Sequence, residues 1–251
     1  MKFLVANWKM APILPKAAAS LAKSTATIAK AHKKHLTVVV CVPTVYLTTV
    51  AASAKTLLIG AQNVAATTAI ASTGQVGATL LKGVKAGYCI IGHSESRATG
   101  ESNELVREKL DRLLEQKIQP ILCVGERERD GQGWYLSVIK DQIESALMGL
   151  APAALKRIVI AYEPVWAIGA SAEREATPAE CLEMIMFIRK LISDLADPKL
   201  ARTIPILYGG SVSEDNAAAF LTEGEASGLL VGRVSLESKR FAKLASRIAD
   251  L

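Results

Sequence analysis

Short apolar runs alternate with helical patterns along the whole chain, and this alternation restricts the possible folds more than any other feature. Continuous apolar runs rich in β-branched residues are typical of parallel strands that are buried on both faces. The runs are FLVAN (3–7), TVVVCV (37–42), LLIGAQ (57–62), YCIIG (88–92), PILCVG (120–125), IVIAYE (158–163), PILYGG (205–210) and GLLVG (228–232). The pattern therefore predicts a parallel sheet covered by helices.

Two of the intervening segments have clear helical patterns. Residues 101–117 place leucine and valine on one face and charges around the rest, as expected of a helix that covers a sheet. Residues 177–195 begin with Thr-Pro and a glutamate three residues after the threonine, which is the sequence of a capping box. Eight strand–helix units without a break in composition predict one (β/α)8 barrel domain over residues 1–251.

The composition limits the possible functions. Half of the residues are hydrophobic, which excludes a disordered chain, and the formal net charge is +6. Several positive charges stand in KAHKKH (30–35), which fits a solvated helix end better than a nucleic-acid patch because no aromatic residues are interleaved with it. The scattered four cysteines and three histidines predict no metal site. With no signal-peptide core and no membrane-spanning run, we expect a cytoplasmic protein.

Functional residues of such barrels lie at the carboxyl ends of the strands. Candidate residues can therefore be selected by their position before their type is considered. Polar residues follow most of the predicted strands. They are Asn7 and Lys9 after the first, Gln62 and Asn63 after the third, His93 after the fourth, Glu126 after the fifth and Glu163 at the end of the sixth. We therefore expect these side chains to converge on one mouth of the barrel.

Glycine-rich turns after the last two strands indicate an anion site. Residues 209–211 and 232–233 supply backbone N–H groups, and a helix is expected to begin near Ser213. Unpaired amides and a helix N-terminus both favour negative charge. Glycines alone fit a tight turn equally well, but their occurrence after two adjacent strands favours phosphate, and Lys9 adds a positive charge at the same mouth.

His93 and Glu163 are the candidate acid–base pair. His93 precedes Ser94 and Glu95, a helix start, and a helix N-terminus favours the neutral imidazole. A structural histidine is the ordinary interpretation of a lone His after a strand, and here its position favours function. Glu163 ends an apolar strand, where partial desolvation suits a general base. A carboxylate opposite a hydrogen-bond donor suits proton abstraction next to a carbonyl.

The connection at residues 164–176 is longer than most loops of compact domains, whose median length is about 4–6 residues. It begins with Pro-Val-Trp directly after Glu163 and ends before the helix signal at Thr177. Long connections without secondary structure are often functional. We therefore predict a moving lid, and residues 164–176 are called the lid below.

Six motifs stand at these strand ends in the order ANWKM, GAQN, IIGHSES, CVGE, AYEPVWAIG and YGGSV. Together they closely resemble the triosephosphate isomerase family, essentially over the full length of the chain. The resemblance implies an enzyme of glycolysis and gluconeogenesis that needs neither cofactor nor metal. It would interconvert dihydroxyacetone phosphate and D-glyceraldehyde 3-phosphate by enediolate proton transfer.

The resemblance also implies roles for individual residues. Glu163 would move the proton between the two carbons, and His93 would polarise the carbonyl. Lys9 would hold the substrate electrostatically, with Asn7 beside it and Glu95 in support of Lys9. The phosphate would be bound by the backbone N–H groups of Gly169, Ser211, Gly232 and Arg233. Pro164, Val165 and Trp166 would form the first hinge of the lid.

The chain departs from the family pattern at three places. The lid is two residues longer and has no Gly-Lys tip, because residues 170–175 read ASAERE. Arg233 stands where the family commonly has glycine, so its backbone must adopt a conformation that a non-glycine residue tolerates. Gln75 and Ser96 replace a Glu–Arg ion pair of the family's dimer interface. Because Thr73 is retained, a homodimer through the loop around Thr73–Gln75 is still expected.

Two other functions stay open at this point. Another phosphate-binding TIM-barrel sugar-phosphate isomerase would share the anion site but act on a bulkier substrate. A nucleic-acid-binding protein rests only on the isoelectric point of about 9.1, and it would show steeply salt-dependent binding. The positions of Asn7, Lys9, His93 and Glu163 favour the triose phosphate isomerase and no nucleic-acid or membrane partner.

Overall fold

The structure is a computed structural model that describes residues 1–169, 172 and 174–251. Eight parallel strands close into a barrel, and each pairs with its neighbours in chain order. They are β1 (Lys2–Asn7), β2 (Leu36–Val42), β3 (Leu58–Ala61), β4 (Tyr88–Ile91), β5 (Gln119–Val124), β6 (Val159–Tyr162), β7 (Ile206–Tyr208) and β8 (Gly228–Val231). The predicted (β/α)8 barrel is confirmed.

Helices follow the strands and cover the barrel. They are α1 (Pro15–Ala31), α2 (Leu47–Ser53), α3 (Ala78–Gly83), α4 (Ser94–Ala98), α5 (Asn103–Glu115), α6 (Trp134–Leu147), α7 (Pro152–Leu155), α8 (Pro178–Leu195), α9 (Pro198–Thr203), α10 (Ala217–Thr222) and α11 (Ser238–Ala249). Short 3-10 turns occur at Thr44–Tyr46, Val165–Ala167 and Arg233–Leu236.

The two helices with the clearest sequence patterns are confirmed. α5 buries Val106, Leu110 and Leu113 against the barrel. α8 begins directly after its N-cap, Thr177. The Thr177 hydroxyl accepts from the Glu180 N–H, and the Glu180 carboxylate accepts from the Thr177 N–H, so both halves of the capping box form. One expected helix start is wrong, since α10 begins at Ala217 and not near Ser213.

The backbone at Ser213 explains that difference. Its hydroxyl accepts from the N–H groups of Asp215 and Asn216, each at 3.3 Å, and the Asn216 side chain accepts from the Ser213 N–H at 2.8 Å. Short polar side chains that bond to nearby backbone compete with helix formation. Residues 214–216 are therefore a turn, and α10 has only six residues.

The core has two layers. Inside the barrel, alternate strand residues pack on one another, among them Val5, Val39, Ile121 and Leu207. Residues of the opposite strand face pack under the helices. The four cysteines are buried free thiols, and burial raises the pKa of Cys181 to about 12. Within the described residues, every helix is too short or too polar to cross a membrane.

A buried ion pair connects α5 to the ends of two strands. The Lys109 ammonium binds the Glu101 carboxylate, and both side chains are buried. The other Glu101 oxygen accepts from the Gly92 N–H at 3.0 Å, directly before His93. Lys109 also donates to Asn63 Oδ1 at 2.8 Å, beyond β3. This cluster fixes the backbone that presents His93.

Lys109→Met is expected to destabilise the fold by about 3–5 kcal/mol, because it leaves the Glu101 carboxylate buried without its partner. Urea unfolding followed by circular dichroism measures the loss. The double variant Glu101→Gln/Lys109→Met should lose less than the single variant, since no charge is stranded. Lys190→Met, which removes an exposed pair with Asp194, is the control and should stay within about 1 kcal/mol of the parent. A Lys109→Met loss as small as that of the control would contradict the expectation.

Candidate active site

A cavity of about 930 Å³ opens at the carboxyl ends of the strands and collects most of the predicted site residues. Those lining it are Asn7, Lys9, His93, Glu163, Gly169, Ser211, Gly232 and Arg233. Glu95 is joined to them through its ion pair with Lys9. Asn7, Lys9, His93 and Glu163 therefore converge on one mouth, as the sequence predicted. The other strand-end residues do not line this cavity, because Gln62 bonds to the Lys9 carbonyl, Asn63 to Lys109, and Glu126 to Tyr162 and Trp166.

Lys9 is held at this mouth by its own backbone. Its φ of 50° lies in the left-handed region, which is uncommon for a residue with a side chain. The Asn7 side chain accepts from the Lys9 N–H at 3.0 Å, and the Gln62 amide donates to the Lys9 carbonyl at 3.0 Å. The ammonium then binds Glu95 Oε1. Asn7 and Gln62 thus stabilise a turn that carries a positive charge into the cavity.

His93 is the N-cap of α4, as its sequence position predicted. Its Nδ1 accepts a hydrogen bond from the Glu95 N–H at 3.2 Å. Because Nδ1 is an acceptor, the proton of the neutral ring lies on Nε2. Nε2 points to Glu163 Oε1 at 3.2 Å. The imidazole therefore presents an N–H group to the cavity.

Glu163 follows β6 directly and is 2% exposed. Its Oε2 accepts from the Ser94 N–H at 2.9 Å, while Oε1 lies on His93 Nε2. The Glu163 N–H donates to the Val124 carbonyl at 2.8 Å, which ties the residue to β5. A buried carboxylate without partners would be costly, and these contacts satisfy it. Glu163 and His93 therefore satisfy each other's hydrogen-bonding groups.

The loops after β7 and β8 approach the cavity with their backbones. The Gly209 N–H donates to the Tyr162 carbonyl at 2.8 Å, so it is taken up by the barrel and cannot bind an anion. Ser211, Gly232 and Arg233 lie in the cavity wall beyond it. A Cβ on Gly232 would lie 3.6 Å from Lys9 Cε, so the amides after β8 and the ammonium after β1 are neighbours.

Arg233 requires no unusual backbone. It begins the 3-10 turn Arg233–Leu236, which has right-handed geometry that any residue tolerates. A non-glycine residue at this position therefore causes no backbone strain. Within the described residues, no group of three or more His, Cys, Asp and Glu side chains comes together as a metal site.

The lid is described only in part. Ala170, Ser171 and Glu173 of its predicted tip lie outside the described residues. Gly169 has a φ of 88°, which favours glycine, and it lines the cavity together with Ala172 and Arg174. Residues Val165–Ala167 form a 3-10 turn where the sequence predicted no secondary structure. The Ser211 hydroxyl donates to the Ala167 carbonyl at 3.0 Å.

Glu126 holds the start of the lid, a role that the sequence did not reveal. Its carboxylate is 1% exposed, and Oε1 accepts from the Tyr162 hydroxyl at 2.8 Å and from the Trp166 indole N–H at 2.7 Å. Its carbonyl accepts from the Val165 N–H at 3.0 Å. Burial raises the pKa of this carboxyl, and the two donors partly oppose the rise. In the sequence, the position of Glu126 directly after the strand-end motif CVG was the signal that could have indicated this role.

The chain matches known proteins over nearly its whole length. A family model described as triosephosphate isomerase matches residues 2–248. A triosephosphate isomerase of Aquifex aeolicus is 38% identical over 97% of this chain and 98% of its own length. Those of Alkaliphilus metalliredigens and Roseiflexus castenholzii are 38% and 41% identical over 95% and 82% of this chain and 96% and 82% of their own lengths.

Gly125→Ala is expected to lower turnover and stability together. A Cβ at this position would lie 1.9 Å from the Glu163 carbonyl oxygen, so the backbone that carries the carboxylate must shift. A misplacement of about 1 Å can cost about 100-fold in rate. Steady-state kinetics and thermal unfolding measure the two effects. Gly131→Ala, where the added Cβ meets open space, is the matched control. Wild-type kinetics in Gly125→Ala would show that the close approach is unimportant.

Proposed function

The chain belongs to the triosephosphate isomerase family, and from this premise we propose how its residues interconvert dihydroxyacetone phosphate and D-glyceraldehyde 3-phosphate. The observation that carries the proposal is the placement of the Glu163 carboxylate 3.2 Å from the His93 Nε2, beside the Lys9 ammonium in one cavity. A general base, a neutral hydrogen-bond donor and a cation are the groups that enediolate chemistry requires.

The proton transfer follows from these groups. The Glu163 carboxylate removes a proton from the carbon next to the carbonyl, and the C–H electron pair becomes the carbon–carbon double bond. The carbonyl oxygen gains the negative charge, which the His93 Nε2–H and the Lys9 ammonium stabilise. The hydroxyl proton on the carbon that was deprotonated passes to the former carbonyl oxygen through His93 Nε2. The protonated Glu163 then returns its proton to the former carbonyl carbon, and the new carbonyl forms at the first carbon. Nothing is oxidised overall, and no cofactor takes part.

Substrate binding is assigned to the remaining residues. Asn7 braces the Lys9 backbone at 3.0 Å and lines the cavity, and Glu95 holds the ammonium in place. The phosphate is bound by the backbone N–H groups of Gly169, Ser211, Gly232 and Arg233, which all line the cavity. A Cβ on Gly232 would lie 3.6 Å from Lys9 Cε, and this closeness of the Lys9 side chain to the amides after β8 supports an anion site at this point. We place the reaction in glycolysis and gluconeogenesis, in the cytoplasm.

A homodimer is part of the proposal. Large apolar side chains are exposed in the connections that follow β1, β2 and β3, which are called the first three loops here. These side chains are Met10, Ile13, Leu14, Val45 and Ile70. The Tyr46 hydroxyl donates to the Ile13 carbonyl at 2.7 Å, so the first two loops adjoin. Several exposed large apolar side chains on adjoining loops are what an interface would cover. Thr73 and Gln75 lie on the exposed third loop beside Ile70 and would project into the partner.

Glu163→Gln is expected to reduce kcat by about 100- to 10,000-fold, because the amide cannot accept the proton. A coupled assay with dihydroxyacetone phosphate and the exchange of the substrate C–H proton with solvent measure the loss. Glu115→Gln, an exposed glutamate at the end of α5, is the control. Turnover of Glu163→Gln at the wild-type rate would exclude Glu163 as the base.

Ile70→Asp is expected to shift the protein from dimer to monomer, because the side chain is fully exposed in the chain alone and a charge there would be buried in the interface. Size-exclusion chromatography with light scattering reports the mass. Met148→Asp changes an exposed methionine just after α6, at the opposite end of the barrel, and should not alter the mass. A monomeric wild-type protein would contradict the dimer.

A further inference from the structure

Trp166 lies between two arginines at the start of the lid. The Arg174 guanidinium is 4.6 Å from the centre of the Trp166 ring, and that of Arg129 is 5.9 Å away. A guanidinium within about 6 Å of an aromatic ring is attracted to it. The indole N–H meanwhile donates to Glu126. The side chain that follows the catalytic glutamate by three residues is thus held on several sides.

Arg174 is itself fixed to the first turn of α8. Its Nη2 and Nη1 donate to Glu180 Oε1 and Oε2 at 2.6 and 3.0 Å, a bidentate fork that adds geometric specificity. Glu180 also completes the capping box at Thr177. The fork lowers the pKa of the Glu180 carboxyl to about 2. Arg174 therefore joins the far end of the lid to its first hinge.

The hinge and the base are coupled through the chain. In this arrangement both Glu163 oxygens are occupied, one by the Ser94 N–H and one by His93. The carboxylate must leave both groups to reach a substrate carbon. Pro164, Val165 and Trp166 follow it directly, and the contacts of Trp166 with Glu126 and Arg174 resist their movement.

We propose that Arg174 is a positioning residue that holds Trp166 in the resting arrangement and so stabilises Glu163 on Ser94 and His93. The inference rests on the proposed function, because it concerns the same base. It is specific to this chain's lid, in which ASAERE replaces the usual tip of the family. Loss of the fork shifts the equilibrium toward the arrangement in which Glu163 acts on the substrate.

The test is the affinity for 2-phosphoglycolate, a small phosphate-bearing carboxylate that resembles the anionic enediolate. Arg174→Met keeps a long side chain but removes the charge and the fork. It should bind this probe about fivefold more tightly than wild type, a factor within the range of an exposed ion pair and a cation–π contact, and KM should fall with it. Arg174→Lys keeps the charge without the fork and should lie between the two.

Two further variants complete the design. Glu180→Gln retains an acceptor for the cap at Thr177 but removes one oxygen of the fork and the charge 3.5 Å from Arg129. It should therefore tighten binding in the same direction as Arg174→Met. Arg112→Met, which removes an arginine paired with Glu115 on α5, leaves binding unchanged. If Arg174 contributed only to stability, Arg174→Met would lower the melting temperature without binding 2-phosphoglycolate more tightly.

Unchanged or weaker binding in folded Arg174→Met, or in Glu180→Gln, would overturn the inference. If wild type turns over dihydroxyacetone phosphate in that case, the proposed function stands and only the role of Arg174 fails. If wild type neither turns over the substrate nor binds the probe, the proposed function fails first.

Discussion

The pairing of β8 with β1 is the contact on which the site depends. Phe3 to Ala6 pair with Gly228 to Val231, and a Cβ on Gly228 would lie 2.2 Å from the Phe3 carbonyl oxygen. Glycine at this position lets the strands approach closely enough to close the sheet. Closure makes the loop after β8 a neighbour of the loop after β1, and only then does Gly232 meet Lys9. An open sheet of the same strands would leave these residues at opposite edges.

The alternation of strands and helices was sufficient to predict the barrel, because buried parallel strands leave a continuous apolar signature. The same reasoning located Lys9, His93 and Glu163, since parallel strands bring all their carboxyl ends to one mouth. The sequence also suggested Gly209 as an anion donor, and this was wrong because its N–H donates to the Tyr162 carbonyl on the neighbouring strand β6. Which amides are already paired depends on strand register, and register is absent from the local pattern.

Polar groups that act through tertiary contacts were harder to predict. Ser213 looked like a helix start, but its bonds with Asp215 and Asn216 form a turn instead. Glu126 was recognised only as a strand-end residue, because its partners Tyr162 and Trp166 lie 36 and 40 residues away in the chain. Such side chains satisfy one another across distances that periodicity and spacing do not report.

A base for C–H abstraction must be desolvated, yet a buried carboxylate is stable only with partners. In this protein the partners of Glu163 are Ser94 and His93, and in the proposed mechanism His93 also binds the substrate oxygen. Under this proposal, substrate competes with Glu163 for His93, and the contacts of Glu163 with Ser94 and His93 are lost as the reactive contacts form. The more firmly the hinge at Trp166 is held, the more of the substrate's binding free energy is needed to release Glu163. If the proposal holds, the strength of the contacts around this tryptophan sets how binding free energy divides between holding substrate and moving Glu163.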